Sequence, residues 1–79
     1  MPTIWYEQGF RFSFYSSDAA ERPHVHVDKG GAEGKWWLDP IQEARNSGFN
    51  ARDRSTITRI IRDRQGFFLE AWERFFRGA

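Results

Sequence analysis

The hydrophobic period of this 79-residue chain changes once, near Gly48, and that change limits the folds that the chain can adopt. Before Gly48, apolar and polar side chains alternate in short runs, which is typical of half-buried strands. After Gly48, apolar residues recur at helical spacing. The pattern predicts one α+β domain over residues 1–79, with a sheet-forming part at 1–49 and one long helix at 50–77 that packs on one face of the sheet.

The segment RPHVHVDKGGAEGKWWLDP predicts a hairpin that turns at Gly30-Gly31. With a two-residue turn, parity sorts the side chains of both strands onto two faces. The face predicted to be buried under the helix carries Val25, Val27, Trp36 and Leu38. The opposite face is predicted to be open and carries His24, His26, Lys35 and Trp37.

A first hairpin is predicted in TIWYEQGFRFSFY, where the phenylalanines alternate with polar residues. A three-residue loop at 7–9 would put Ile4 and Tyr6 on the face of these phenylalanines and leave Arg11 on the open face. Residues 41–46 fit either a short helical turn or an edge strand. The sheet is therefore expected to have four to five antiparallel strands.

The C-terminal helix is expected to begin after Asn50, whose side chain can cap it. Its apolar arc holds Ile57, Ile60, Ile61, Phe67, Phe68, Ala71, Trp72 and Phe75. Arg64 falls inside this arc, where it either pairs with a carboxylate or reaches a ligand. Leu69 and Phe76 fall outside it and could form a second contact surface.

Charge and composition limit the cellular location and the kinds of ligand that we expect for this protein. The first 50 residues carry five basic and seven acidic side chains, and residues 51–79 carry seven arginines and four acids. Most of this basic helix is expected to be an ordinary solvated face, and only Arg52, Arg59 and Arg62 are clustered cleanly enough for phosphate contact. The chain has no cysteine, no apolar run of membrane-spanning length and no signal-peptide pattern, so we expect a cytoplasmic protein without membrane contact.

His24 and His26 admit three interpretations. They could be structural strand residues beside a tryptophan. They could be an acid–base pair for RNA, with Lys35 or Arg11 stabilising charge on the phosphate and Trp37 stacking on a base. They could chelate one metal ion, but the acids expected nearest to them, Asp28 and Glu33, lie toward the turn. His24 and His26 are therefore only weak candidates for metal ligands, and no cofactor is expected.

Several segments, in this order, resemble one family of small bacterial domains of unknown function: MPTI, GFRFSFYSSD, RPHVHVDKGG, KWWLDP, ARNSGFN and EAWERFF. Members of that family are encoded beside a second small domain, and some are named toxins of type II toxin–antitoxin pairs, the DhiT-like group. His24, His26, Trp72 and the turn at 46–49 match the family pattern. Arg64, where the family often has asparagine, and Gly66 depart from it.

The resemblance implies a partner protein encoded by the adjacent gene, and it brings no established catalytic mechanism. Our first hypothesis is a toxin that acts on RNA or translation through the open sheet face. The second is a non-catalytic interaction module of a two-protein regulatory complex, with a homodimer as a further assembly. The third is a metal-binding domain.

Overall fold

The computed structural model describes residues 3–77, which form five strands, one short 3-10 helix and two α-helices. The strands are β1 (Thr3–Glu7), β2 (Phe10–Ser13), β3 (His24–Lys29), β4 (Ala32–Leu38) and β5 (Ile41–Ser47). The 3-10 helix spans Ser16–Ala20, and the α-helices are α1 (Ala51–Asp63) and α2 (Gln65–Arg77). The α+β class is confirmed, and residues 41–47 are a strand. No helix in the described range is long and apolar enough to cross a membrane.

The five strands form one antiparallel sheet in the order β1-β2-β3-β4-β5. The register predicted for the second hairpin is confirmed, since Val25 lies opposite Trp36 and His26 opposite Lys35. Gly30 takes a φ of 59° in the turn, a left-handed conformation that glycine adopts without a steric penalty. The double glycine therefore sets which side chains of β3 and β4 share a face.

The first hairpin differs from its prediction, because its turn has two residues and not three. Gln8 and Gly9 both have positive φ, at 52° and 83°, which is the pattern of a tight hairpin turn. Trp5 consequently lies opposite Phe12, and Tyr6 is 67% exposed. A register shift between Thr3 and Trp5 still leaves Ile4 packed against the core.

The single long helix predicted for residues 50–77 is wrong, because the chain breaks at Arg64. Arg64 has φ −123° and ψ 23°, outside the helical range. The Arg64 side chain leaves the helical layer to pair with Glu7 at 3.0 Å. Gln65 donates from its side chain to the Leu38 carbonyl oxygen at 2.8 Å. Contacts to two strands thus hold the chain at the point where it departs from the helix.

The break also changes which side of α2 is buried. Phe67 and Phe75, predicted to face the core, are 46% and 37% exposed. Leu69 and Phe76, predicted to lie outside the apolar arc, pack against the core instead. The buried cluster combines side chains of the sheet, both helices and the connections that follow β2 and β5. Its members are Phe10, Phe12, Phe14, Val25, Val27, Trp36, Leu38, Phe49, Ile57, Ile60, Ile61, Phe68 and Trp72.

The prediction that the histidine face of the sheet is open is wrong at the histidines themselves. His24 is fully buried, and His26 is 8% exposed. The segment between β2 and β3 folds back over this part of the sheet, so that Asp18 and Tyr15 contact the imidazoles. A connection that was expected to be a simple linker is the cover of the site.

Candidate functional site

Two imidazoles and one carboxylate meet at the start of β3. Asp18 Oδ2 lies 3.1 Å from His24 Nε2 and 3.0 Å from His26 Nε2. One ligand-type atom from each of the three residues can be chosen so that all lie within 4.8 Å of one another. All three residues are buried. We call Asp18, His24 and His26 the His–Asp cluster.

Local structure explains how each member of the His–Asp cluster is positioned. Side chains two residues apart on a strand point to the same side of the sheet, which brings His24 and His26 together. Asp18 lies on the 3-10 helix, where its carboxylate accepts the Tyr15 backbone N–H at 3.0 Å. The Asp18 backbone N–H in turn donates to the Tyr15 carbonyl at 3.0 Å. The carboxylate is therefore held by a local turn and aimed at the strand.

Hydrogen bonding indicates which nitrogens of His24 carry protons. His24 Nδ1 lies 2.9 Å from the Arg22 carbonyl oxygen, which can only accept, so Nδ1 is the donor. In a neutral ring Nε2 then has a lone pair and no proton. Although His24 Nε2 is 3.1 Å from the carboxylate, it has no hydrogen-bond partner among residues 3–77. A short N–O distance alone does not make a hydrogen bond, and this contact remains an approach between two acceptors when the ring is neutral.

His26 is held differently. Its Nε2 is hydrogen-bonded to Asp18 Oδ2 at 3.0 Å, while its Nδ1 is buried without a partner in the described chain. Ser13, directly opposite His26 in the sheet, also has a buried hydroxyl without a partner there. The ring of Tyr15 stacks on the His26 imidazole, with 3.8 Å between ring centroids. The polar cluster thus retains unused hydrogen-bonding capacity in a closed environment.

Burial and charge act in opposite directions on the acid. Burial by itself would raise the pKa of Asp18, but the Tyr15 N–H and the two imidazoles outweigh it, so the pKa lies below its ordinary value. Burial lowers the pKa of His26, and the attraction of Asp18 offsets this only in part. An ionised carboxylate facing a neutral His26 is consistent with both directions.

Aromatic rings enclose the cluster. His24 lies 5.5 Å from the ring of Trp37 and 5.1 Å from that of Trp72 on α2, measured between centroids. Trp37 is itself covered by cations, since Arg22 lies 4.3 Å and Lys35 4.6 Å from its ring. Two cations of the chain thus lie against the ring that was predicted to stack on a base. Trp72, expected to be a core residue, connects the His–Asp cluster to the hydrophobic core.

The other predicted site residues lie apart from the histidines or are paired with acids. Arg11 pairs with Asp28 at 3.0 Å. Lys35, which lies beside His26 in the sheet, pairs with Glu21. The structure thus brings only some of the predicted site residues together. The predicted group was His24, His26, Lys35, Arg11, Trp37 and Arg64.

Arg64 forms a separate contact at the β1–β2 turn. Arg64 Nε donates to Glu7 Oε1 at 3.0 Å, and its guanidinium lies 4.2 Å from the ring of Trp5. The Trp5 indole N–H donates to the same oxygen at 2.9 Å. Hydrogen bonds from Trp5 and then Arg64 hold the pKa of Glu7 below its usual value. Carboxylate pairing, one of the two roles considered for Arg64, accounts for its position.

Asp18 is the member of the site that the sequence did not reveal. Asp28 and Glu33 were considered as third ligands, but Asp28 pairs with Arg11, and Glu33 lies 3.5 Å from Arg45. A signal did exist, because an acidic residue at the third position of a helical turn commonly accepts the backbone N–H of the residue that begins the turn. That signal predicts a turn, and it does not predict that the turn folds over the histidines.

A second surface lies on the solvent side of α1. Arg52, Arg59 and Arg62 form no ion pair with any described residue, whereas Arg54 is neutralised by Glu43 at 2.7 Å. A shallow concavity beside them is lined by Glu43, Ala51, Arg54, Ser55, Thr56, Thr58, Arg59 and Arg62. Guanidinium and hydroxyl groups in a shallow surface suit contacts to phosphate oxygens.

Together the fold and site define a small α+β domain in which a five-stranded antiparallel meander carries a buried histidine pair. The chain belongs to the family described as Domain of unknown function (DUF4160), whose model matches residues 9–73. No curated protein and no solved structure matches the chain. The match covers the His–Asp cluster and most of both helices.

Proposed function

We propose that this chain is the toxin component of a two-protein pair and that it binds RNA through the solvent side of α1. The observation that carries the RNA contact is the group of three arginines on α1 without acidic partners in the described chain: Arg52, Arg59 and Arg62. Their spacing of seven and three residues puts them on one side of a helix. The resemblance to toxins of type II pairs supplies the cellular role, and such a component acts in the cytoplasm, where RNA and ribosomes are.

Burial argues against the histidines as an acid–base pair in this fold. A general acid or base must come within hydrogen-bond reach of the proton that it transfers. His24 is fully buried and His26 nearly so, behind Tyr15 and Asp18. We therefore propose that the toxin acts by binding RNA or a ribonucleoprotein and not by histidine-catalysed cleavage.

The experiment measures RNA affinity as a function of salt. A fluorescent single-stranded RNA is titrated with the wild type, with a triple Arg→Gln variant at 52, 59 and 62, and with a control triple variant at 45, 74 and 77. The control removes the same charge from arginines that are already paired with acids. The first variant should reduce the magnitude of the negative slope of log affinity against log salt by about 2, because each lost phosphate contact removes about 0.7 for single strands.

Equal losses in both variants would show that only net charge matters, and undetectable binding by the wild type would refute the RNA contact. The toxin role is tested separately by induced expression with and without the adjacent gene. Growth arrest that the neighbour relieves, and that the α1 variant abolishes, supports the proposal. Harmless expression would refute the toxin role.

A second candidate function is protein binding through α2. Phe67 and Phe75 are 46% and 37% exposed and lie two helical turns apart, with the partly exposed Ala71 between them. Large exposed aromatics on one stripe are typical of a protein contact. If this surface binds the product of the adjacent gene, Phe67→Ser with Phe75→Ser should abolish co-purification, with Tyr6→Ser as the control for an exposed aromatic elsewhere. A concentration-dependent dimer lost in the same variant would instead indicate a homodimer.

A further inference from the structure

We infer that the His–Asp cluster binds one divalent transition-metal ion through His24 Nε2, His26 Nε2 and Asp18 Oδ2. The inference is independent of the proposed RNA contact, which uses a different surface. His24 Nε2 is buried, has no hydrogen-bond partner in the described chain, and lies 3.1 Å from an anionic oxygen.

When His24 is neutral, its Nε2 lone pair faces the carboxylate oxygen, and two such electron-rich atoms repel each other at that distance unless a positive charge lies between them. Leaving a buried acceptor unsatisfied is also costly. A cation bound to both atoms would turn the repulsion into two bonds. His24 is already in the tautomer that this needs, because its Nδ1–H donates to the Arg22 carbonyl. Metal-bound histidines commonly donate their second ring N–H to a backbone carbonyl or carboxylate in this way.

The distances suit a metal of ordinary size. Two ligands that are each about 2.1 Å from an ion and at right angles about it are separated by about 3.0 Å, whereas tetrahedral ligands are separated by about 3.4 Å. The two nitrogen–oxygen separations in the cluster, 3.0 and 3.1 Å, fit the right-angled arrangement. To bind the ion, His26 must exchange the Nε2–H that it shares with Asp18 for a proton on its unpartnered Nδ1, which frees the Nε2 lone pair. With that change of tautomer and small adjustments of the imidazoles, the cluster would admit the ion and leave further coordination positions for another ligand.

Donor chemistry selects the class of metal. Two imidazoles and one carboxylate suit zinc, cobalt, nickel or iron in the divalent state, and the sequence has no cysteine to favour thiolate-bound metals. Calcium and magnesium prefer oxygen ligands and are disfavoured. The rings of Tyr15, Trp37 and Trp72 surround the imidazoles, so the ion would lie in an environment with little water.

The ion would join two parts of the fold. Asp18 belongs to the connection between β2 and β3, while both histidines belong to β3. A metal bound only by the folded arrangement stabilises it in proportion to the logarithm of ligand concentration over Kd. For a domain of this size, zinc at about 100 times its Kd should raise Tm by on the order of 10 °C.

The test uses protein treated with chelator and then titrated with zinc or cobalt ions alone, followed by calorimetry and thermal melting. We expect one ion per chain and the stated rise in Tm. Asp18→Asn, which keeps an oxygen able to accept the Tyr15 N–H, should weaken zinc binding at least tenfold. Asp28→Asn is the control, because it removes an exposed strand carboxylate outside the cluster and should leave zinc binding unchanged.

A second measurement covers the case in which Asp18→Asn does not fold. In the wild-type protein, long-range nitrogen–proton NMR spectra should show the Nε2 signals of His24 and His26, and not their Nδ1 signals, shifting to metal-bound positions on zinc addition. Unchanged imidazole signals at saturating zinc would overturn the inference, as would an equal loss of binding in both aspartate variants. So would spectra in which both His24 nitrogens carry protons whether or not zinc is present, since a proton would then occupy the contact.

Discussion

Trp72→Ala tests whether the His–Asp cluster and the hydrophobic core are one cooperative unit. Trp72 is 3% exposed, and its ring lies 5.4 Å from that of Phe14 and 5.1 Å from that of His24. A buried aromatic removes about 150 to 250 Å² from water, which at about 25 cal/mol per Å² is roughly 4 to 6 kcal/mol. Measured losses for such truncations are about 3 to 5 kcal/mol.

That loss is a large part of the total stability expected for a 79-residue domain, about 4 to 12 kcal/mol. Urea unfolding followed by far-UV circular dichroism measures it, and the slope with urea reports whether the transition stays cooperative. The matched control is Phe75→Ala on the same helix. Phe75 is 37% exposed, so its loss should be smaller, about 1 to 2 kcal/mol.

Trp72→Ala should also affect the His–Asp cluster. Loss of the Trp72 ring removes one wall beside His24, so the histidine should become open to solvent before the whole domain unfolds. Hydrogen–deuterium exchange at the His24 imidazole C2 position, compared between Trp72→Ala and Phe75→Ala, would detect this. A Trp72→Ala variant that loses less than about 1 kcal/mol and leaves His24 protected would refute the assignment of Trp72 to the shared core.

Two further predictions concern the sheet and its pH dependence. Gly34→Ala should destabilise the domain by about 1 to 3 kcal/mol in a thermal melt, since a Cβ at Gly34 would lie 2.5 Å from a ring atom of Trp36 and 2.9 Å from the backbone oxygen of Arg45. An unchanged Tm would show that both the indole and β5 move aside at little cost. Trp5 and then Arg64 donate hydrogen bonds to the ionised carboxylate of Glu7, so its pKa is lower in the folded state than in the unfolded chain. The stability that Glu7 contributes should therefore be fully present above its unfolded pKa and lost as the pH falls through its folded pKa. Glu7→Gln should flatten this part of the stability profile below about pH 4.5, and a profile identical to that of the wild type would contradict the role of the contact.

Much of the candidate site was predictable from β3 and β4 alone. The alternation at 24–28 and the double glycine at 30–31 placed His24 and His26 on one face, with Lys35 and Trp37 across from them, and the structure has that register. These relations follow from the two-residue repeat of a strand and from the length of a tight turn. Both are properties of short stretches of chain.

Asp18 and the burial of the histidines could not be derived in that way. The turn at Asp18 is local, but its position over β3 depends on how the segment between β2 and β3 closes against the sheet. The segment between β2 and β3 has no hydrophobic period that would predict its packing against the sheet. The sequence pattern therefore predicts an open, solvated imidazole pair, whereas the fold has a buried cluster of two imidazoles and a carboxylate.

By itself, the sequence determined an α+β domain with an antiparallel sheet before a helical C-terminal part. The reason is that the hydrophobic period, two residues in strands and about 3.6 in helices, depends only on neighbouring residues of the chain. Only the tertiary structure decided that the helical part breaks at Arg64. The contacts at the break, from Arg64 to Glu7 and from Gln65 to Leu38, span 57 and 27 residues of sequence. Ending α1 and starting α2 changes which side of α2 meets the core. For this reason Leu69 and Phe76 pack inward, while Phe67 and Phe75 remain exposed.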